Sequence, residues 1–484
     1  MVKQTLLLLF LFLSISFSSC KGKTNPTPPD QPTNETDKKV VVNLTRGDKI
    51  RLLMQDTLIL YPQVPADWPV ISIDTSIVFQ EIDGYGAALT GSAAYLIHKK
   101  MTAEQRRELL LQLFDPVKGI GISFLRLTMG ASDFSLSDFT YDDIPINETD
   151  FALEHFSLSQ DLDDLIPVLN EILAINPNLH LMGTPWSPPA WMKTNKSLKG
   201  GKLRPDCYSV YADYFVRYIQ EMKAHGIEIT HITPQNEPLY FTANYPCMEM
   251  QAEEQAEFIK HHLGPKFAAA GITTKIINYD HNWDNTAYSL HILNDSLARR
   301  YTAGSGFHAY AGNVSAMSTV HQAFPDKELH FTEISGGAWA TDFGDNLMWN
   351  MQNIFIGTAV NWSRSALLWN LALDQNYGPT NNGCSNCRGV ITISQPDGQV
   401  TFNEEYYSIG HFARYVRPGA KRISHLRQQS LFKIDAVAFL NPDGSKVLVV
   451  TNYGDDYQTF SVKQGQKAFS YSIPAKSVAS FTWD

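Results

Sequence analysis

The stretch Tyr208–Pro238, YSVYADYFVRYIQEMKAHGIEITHITPQNEP, decides the fold. Tyr208–His225 is an amphipathic run with helical spacing, and Ile229–Asn236 is an apolar run of strand length. The strand delivers a carboxylate, Glu237, directly before Pro238. Outward from this unit the same alternation recurs. Further candidate strands are Glu81–Leu89, Ile122–Met129, His180–Trp186, Lys275–Asp280, Gly306–Tyr310, Glu328–Ile334 and Ala366–Leu373. The other candidate helices are Thr102–Phe114, Gln160–Ile175, Glu249–Ala270, Ala287–Arg300, Val314–Ala323, Asp345–Ser363 and Glu404–Tyr415. Thr102 with Gln105 three residues on is a capping-box pattern. Eight strand–helix pairs joined by right-handed crossovers close into an α/β fold, a (β/α)8 barrel over residues 79–415.

The flanks read differently. Residues 40–78 hold short apolar runs such as Ile50–Leu53, followed by Asp74–Val78, and residues 416–484 lack helical periodicity. The tail carries Ala436–Leu440, Lys446–Thr451, Gln458–Val462 and Val478–Trp483, and turn signals at Asn441–Gly444 and Asn452–Gly454 separate the first three. Both flanks are expected to join in one antiparallel β-sandwich domain beside the barrel. At the N-terminus, Lys3 precedes an apolar run, Leu6–Phe17, that is short for a membrane span. Phe17-Ser18-Ser19-Cys20 resembles a lipoprotein cleavage site. Residues 1–20 then form the signal and Cys20 carries the lipid, with ordinary cleavage near Ser19 as the alternative. Residues 21–39 are polar and Pro-rich and read as a flexible tether. A tethered lipid anchor places the protein in a Gram-negative cell envelope, touching the membrane only through its lipid.

Composition narrows the function. With 39 basic against 49 acidic residues the net charge is −10, which argues against a nucleic-acid partner held by phosphate contacts. Aromatic residues make up 12%, which suits ring stacking on sugars and equally suits an ordinary α/β core. Beyond Cys20 the cysteines are Cys207, Cys247, Cys384 and Cys387, an even number that permits disulfides in an oxidising compartment. Cys384 and Cys387 can bridge within one loop. A zinc site would need a second ligand pair beside them, and none is spaced for it.

Barrel enzymes place their chemistry at the carboxyl ends of the strands. The fourth candidate strand ends in Thr233-Pro-Gln-Asn-Glu237, and the seventh in Phe331-Thr-Glu333. Either glutamate alone reads equally as a structural acid paired with an arginine. Two at corresponding strand ends suit glycosidic bond cleavage, where one carboxyl donates a proton and the other stays ionised. Arg126 on the second strand can hold one of them ionised, or form an internal barrel salt bridge. Asn236 can bond a sugar 2-hydroxyl. Asp133, Trp186, His308, Tyr310 and Trp369 also fall at strand ends, a pattern that favours a carbohydrate cleft over core packing alone. This chemistry needs no metal or organic cofactor.

Several stretches, in order, resemble glycoside hydrolase family 30, which includes glucosylceramidases. They are Asp83–Gly86, Arg126–Phe134, Ser187–Asn195, Thr233–Pro238, His308–Tyr310, Phe331–Glu333, Trp369–Leu373 and Tyr406–Gly410, with Phe469–Pro474 and Phe481–Trp483 in the tail. The resemblance implies a barrel fused to a side β-structure. It also implies retaining hydrolysis, with Glu237 as acid/base and Glu333 as nucleophile. Asp133, Trp186, Asn236, Tyr310 and Trp369 would line the sugar subsite. The run Gly378–Thr392, containing Cys384 and Cys387, is similar to a loop of the family's endo-β-1,6-glucanases and implies a β-glucan polysaccharide or oligosaccharide substrate. A β-glucosidase or glucosylceramidase, a xylan-directed hydrolase and a non-catalytic carbohydrate-binding lipoprotein are the alternatives.

Overall fold

A strand covered on both faces has to be apolar throughout, and Gly84–Leu89 and Phe124–Met129 are buried at every residue. In the computed structural model, which describes residues 39–59 and 68–484, these are the first two strands of a closed parallel barrel. The barrel strands are β1 (Gly84–Leu89), β2 (Phe124–Met129), β3 (His180–Pro185), β4 (His231–Ile232), β5 (Lys275–Asn282), β6 (Thr302–His308), β7 (Glu328–Glu333) and β8 (Ser363–Leu368). β8 pairs with β1 and closes the ring.

The helices follow local chemistry. Thr102 accepts from the Gln105 backbone N–H, and the Gln105 side chain returns the bond to Thr102, so the capping box forms as expected. The expected helix Gln160–Ile175 is interrupted at Asp164, and Ala287–Arg300 at Asp295, whose carboxylate caps the next turn. Widened π-type turns at Ile259–Leu263 and Asn350–Phe355 interrupt two more. An unexpected helix, Gly91–Lys99, follows β1 because Thr90 caps it. Its small residues Gly91, Ser92, Ala93 and Ala94 leave little hydrophobic stripe to read. Two strands also differ. β4 keeps only two residues of Ile229–Asn236, and Ile50–Leu53 lies in a turn between strands.

The side domain is a nine-stranded sheet drawn from both ends of the chain. Lys39–Arg46 pairs antiparallel with Ser477–Trp483 and with Met54–Ile59. Val70–Glu81 pairs antiparallel with Lys421–Arg427 and then runs directly into β1. The sheet folds back on itself, so Phe460 and Phe469 on distant strands meet Phe481 at 6.1 and 5.2 Å between ring centroids. Lys421–Arg427 is a strand that the tail's pattern does not announce, and Lys467–Ile473 overlaps the stretch Phe469–Pro474 that only the family resemblance marks. The strand Lys39–Arg46 begins inside the expected tether, at its last residue. The expected signal, the expected lipidation site Cys20 and the rest of the expected tether lie outside the described residues.

Within the barrel, alternate residues of each strand stack from the amino-terminal to the carboxyl-terminal end. Phe124, Met182, Ile277 and Leu367 form an apolar layer. Arg126, one inward position further along β2, lies on its carboxyl side, while His231 and His330 pack against the Phe124 ring. The barrel and sheet are clipped together by His411 on the helix Glu404–Ala413. Its ring nitrogens meet Ser480 Oγ and Thr45 Oγ1, each at 2.8 Å.

Burial pushes the His411 imidazole down to about 3. An unfolded histidine takes up its proton near 6.5, so between these values the unfolded state binds more protons and stability falls as pH drops. Replacement by His411→Gln is therefore expected to remove up to one proton from the slope of stability against pH across that interval. Urea titrations at several pH values measure it, and an unchanged slope would count against this clip.

Candidate active site

At the carboxyl end of the barrel one cation organises three polar side chains and two tryptophans. Arg126 is completely buried. Its Nη1 donates to Glu333 Oε2 at 2.5 Å, and its Nη2 donates to Asn236 Oδ1 at 2.6 Å and to Asp280 Oδ2 at 2.9 Å. The Trp186 and Trp369 rings stack on each other at 5.1 Å and lie 5.0 and 5.6 Å from the guanidinium carbon. These tryptophans are almost fully buried, so they form the floor of the site beside the cation.

Backbone irregularities aim the carboxylates. The register between β6 and β7 slips between Phe331 and Glu333, and that between β5 and β6 slips between Tyr279 and His281. Such bulges re-aim side chains at barrel rims. Tyr279, Asp280 and Glu237 all take positive φ, at 70°, 66° and 43°. Non-glycine residues there store on the order of 1–3 kcal/mol each. The Glu237 N–H donates to the Asp280 carbonyl at 3.0 Å, so the two strained segments brace each other.

Asp280 is the hub. It accepts from Arg126, from Thr233 Oγ1 at 2.8 Å and from Thr332 Oγ1 at 2.7 Å, and meets His308 Nε2 at 3.0 Å. Burial alone would raise its pKa, but the Arg126 charge and the His308 and Thr332 hydrogen bonds hold it far below the usual carboxylate range. His308 Nδ1 lies 3.0 Å from Glu237 Oε1. Burial disfavours an imidazolium there, yet Glu333, Asp280 and Glu237 together raise it to about 9.

The two glutamates are held differently. Glu333 takes Arg126 on one oxygen and the Tyr310 hydroxyl on the other, at 3.0 Å. Glu237 has His308 as its side-chain partner. One carboxylate oxygen from each glutamate lies within 4.8 Å of the other. They titrate as a pair. Burial raises Glu333 against the pull of His308 and Arg126, whereas at Glu237 burial is outweighed by the His308 hydrogen bond together with the charges of His308, His281 and Arg126, which lower it. Asp133 stands across the cleft, pushed well up by burial and by the charges of Glu333 and Glu237.

Every expected site residue converges on this end. Arg126 pairs with Glu333 and with Asp280, so both readings of it from the sequence hold together, whereas His308, expected beside the sugar, is fully buried and meets the carboxylates. Asn236 gives its Oδ1 to Arg126. Cys384 and Cys387 form a disulfide and pack with Phe134, Trp186 and Trp369. That loop presses on Asp133, since a Cβ on Gly383 would come within 2.5 Å of Asp133 Cβ, and Asn381 N–H donates to the Asp133 carbonyl at 2.7 Å. Cys387–Arg388 pairs with Gly336–Gly337 just beyond Glu333. Cys207 and Cys247, in contrast, are buried thiols. Sequence reasoning missed the roles of Asp280, Thr233 and Thr332. The strand-end rule that found Glu237 and Glu333 also points to Asp280, at the end of a candidate strand.

The Asp280→Asn substitution removes one of the charges that hold the His308 proton. The His308 titration, followed by ring-proton NMR, is expected to move down from about 9 toward the ordinary imidazole range. An unmoved titration would show that Asp280 is not its electrostatic partner.

Comparison with known proteins agrees with this geometry. The chain matches the Glycosyl hydrolase family 30 TIM-barrel domain over residues 82–416 and the family's beta sandwich domain over residues 419–481. It is 34% identical over 453 residues to Endo-1,6-beta-D-glucanase neg1 of Aspergillus fumigatus, covering 87% of this chain and 88% of the relative. It is 30% identical over 412 residues to Putative glucosylceramidase 1 of Caenorhabditis elegans, covering 79% and 76%. The solved structure of the endo-beta1,6-glucanase BT3312 superposes with a TM-score of 0.86 at 37% identity, over 92% of this chain and 99% of that one. The chain is therefore a glycoside hydrolase and belongs to glycosyl hydrolase family 30.

Proposed function

We infer that the protein is an endo-β-1,6-glucanase that cleaves with retention of configuration. The observation that carries the chemistry is the glutamate pair, with oxygens within 4.8 Å of one another. Retaining enzymes keep their carboxyls about 5–5.5 Å apart, whereas inverting ones leave room for a water. The linkage rests on two supports. Relatives similar over most of the chain are named endo-1,6-glucanases, and the disulfide loop that walls the Asp133 side resembles theirs.

In this reading Glu333 attacks the anomeric carbon. Both of its oxygens have donors, Arg126 and Tyr310, which fix its orientation and favour the anion. Glu237 protonates the leaving glycosidic oxygen and later deprotonates water. In the free enzyme the relevant proton rests on His308 Nδ1, 3.0 Å from Glu237, because His308 is raised while Glu237 is lowered. Substrate that seals the cleft removes water from Glu237, raises its proton affinity and draws that proton across. Asp133 and the remaining capacity of Asn236 bond hydroxyls of the glucosyl unit, and the Trp186 and Trp369 floor supports it. Exposed Tyr240, Phe241 and Trp339 on the loops after β4 and β7 offer further stacking surface for a chain that extends beyond one sugar.

The test is the time course of products from linear β-1,6-glucan, with Glu333→Gln as the blank. Mixed oligosaccharides early in the reaction, absent from the blank, are expected. Glucose alone from the first turnover would replace the endo reading with an exo one. Turnover of xylan or glucosylceramide with none of β-1,6-glucan would overturn the linkage.

The sequence of residues 17–20 supports export as a lipoprotein anchored through Cys20 to a Gram-negative envelope. Metabolic labelling with a fatty acid is expected to mark the wild type and not Cys20→Ser. Equal labelling of both, or of neither, would remove the anchor.

A further inference from the structure

The opposite end of the barrel carries a second cluster that hydrolysis does not use. Asp83 leads into β1, His231 opens β4, and Glu328 and His330 lie on β7. One ligand atom from each of the four lies within 4.8 Å of the others. His231 Nε2 is 3.9 Å from Asp83 Oδ2. His330 Nε2 is 4.0 Å from the same oxygen and 3.5 Å from Glu328 Oε2. These separations are too long for hydrogen bonds. Among the described residues, His231 Nε2, His330 Nε2 and Glu328 Oε2 are buried without a hydrogen-bond partner. The two histidines are 1% and 0% exposed, so solvent does not satisfy them either.

The hydrogen bonds around the cluster decide what these atoms offer. Thr230 Oγ1 gives its single proton to the Leu181 carbonyl at 2.9 Å, so it accepts from His231 Nδ1, also 2.9 Å away. Nδ1 therefore carries the ring proton of the neutral imidazole, and Nε2 turns a lone pair into the cluster. His330 has Ser365 Oγ on its Nδ1 at 3.0 Å, and its Nε2 faces the same carboxylates. Arg364 donates to both oxygens of Asp83, at 2.6 and 3.1 Å, and Lys275 to Glu328 Oε1 at 2.7 Å. These cations orient the carboxylates from outside, as outer partners orient metal ligands. They leave Glu328 Oε2 turned inward. Arg364 and Lys275 answer the carboxylate charges from outside, but the inward lone pairs of His231 Nε2 and Glu328 Oε2 converge with His330 Nε2 in a buried place without partners, which is costly unless a donor or a cation lies among them.

We propose that Asp83, His231, Glu328 and His330 bind a divalent transition-metal ion of the zinc class, tying β1, β4 and β7 together at the amino-terminal end of the barrel. Two imidazoles with two carboxylates are a donor set that suits zinc. Tetrahedral zinc with bonds of ~2.0 Å holds its ligand atoms ~3.3 Å apart, so ligand atoms now within 4.8 Å of one another need to close by up to about 1.5 Å. Glu328 and Arg364 also line a surface cavity of about 390 Å³ beside the strand Val70–Glu81, so one ligand of the cluster reaches the surface side. The apolar layer of Phe124, Met182, Ile277 and Leu367 separates this end from Arg126, and the amino-terminal face of such barrels serves stability. The ion is therefore structural, and hydrolysis proceeds without it.

The test uses the full chain, stripped with a chelator and titrated with Zn²⁺ by calorimetry, with Co²⁺ as a spectroscopic probe. One tight equivalent is expected, with tetrahedral Co²⁺ visible bands, a Tm raised by several degrees and an unchanged kcat. Glu328→Gln and, separately, His231→Gln are expected to lose the equivalent and the bands. If a variant does not fold, the wild-type Co²⁺ spectrum still decides, because octahedral or absent bands contradict the donor set. No uptake by the stripped wild type would mean that a buried water bridges these groups, and the proposal falls. Uptake that survives in both folded variants would place the ion elsewhere and overturn it equally.

Discussion

The buried contact between Arg126 and Asp280 is the constraint on which the catalytic end depends. A guanidinium with no exposure to water needs its charge answered and most of its donors engaged, and here, among the described residues, both terminal nitrogens are engaged while Nε is not. Asp280 answers the charge, Glu333 takes a second donor, and Asn236 a third. The tryptophan pair covers the cation with aromatic surface. Removing Asp280 would leave the Arg126 charge without its fully buried counter-ion in a low-dielectric interior. The cluster is therefore costly to alter and, once formed, has one arrangement.

Proton placement follows from that arrangement. Asp280 is locked as an anion by Arg126, so it holds His308 charged, and His308 holds the proton beside Glu237. Glu237, proposed as the acid/base carboxyl, and the proton on His308 are thus adjacent but distinct in the free enzyme. Glu333, clamped by Arg126 and Tyr310, is oriented before substrate arrives. The strained backbone at Tyr279, Asp280 and Glu237 is the local cost of this placement, and the closed barrel with its clipped-on sheet offsets it.

Much of this was legible in the sequence. The barrel could be read because each strand–helix unit announces itself by a change of hydrophobic period, as in Tyr208–Pro238, and because Glu237 and Glu333 sit at strand ends. The two flanks could be joined because neither carries helical periodicity. What stayed hidden has physical reasons. Gly91–Lys99 begins with residues too small to show a stripe, and the helix is set by its Thr90 cap. Asp280 depends on a bulge that no periodicity reveals. The depth of Arg126 and His308 depends on which strand residues point inward. The amino-terminal cluster joins residues up to 247 positions apart, from Asp83 to His330, and only barrel closure brings them together.

The central claim is that the clamped carboxylate, Glu333, is the nucleophile and the histidine-bonded one, Glu237, the proton carrier. The most direct measurement traps the glycosyl-enzyme with a 2-deoxy-2-fluoro-β-glucoside bearing a good leaving group and maps the labelled peptide by mass spectrometry. The account predicts a single label on Glu333, formed in the wild type and abolished by Glu333→Gln. A label on Glu237, or turnover of the reagent with inverted product and no covalent adduct, would contradict it.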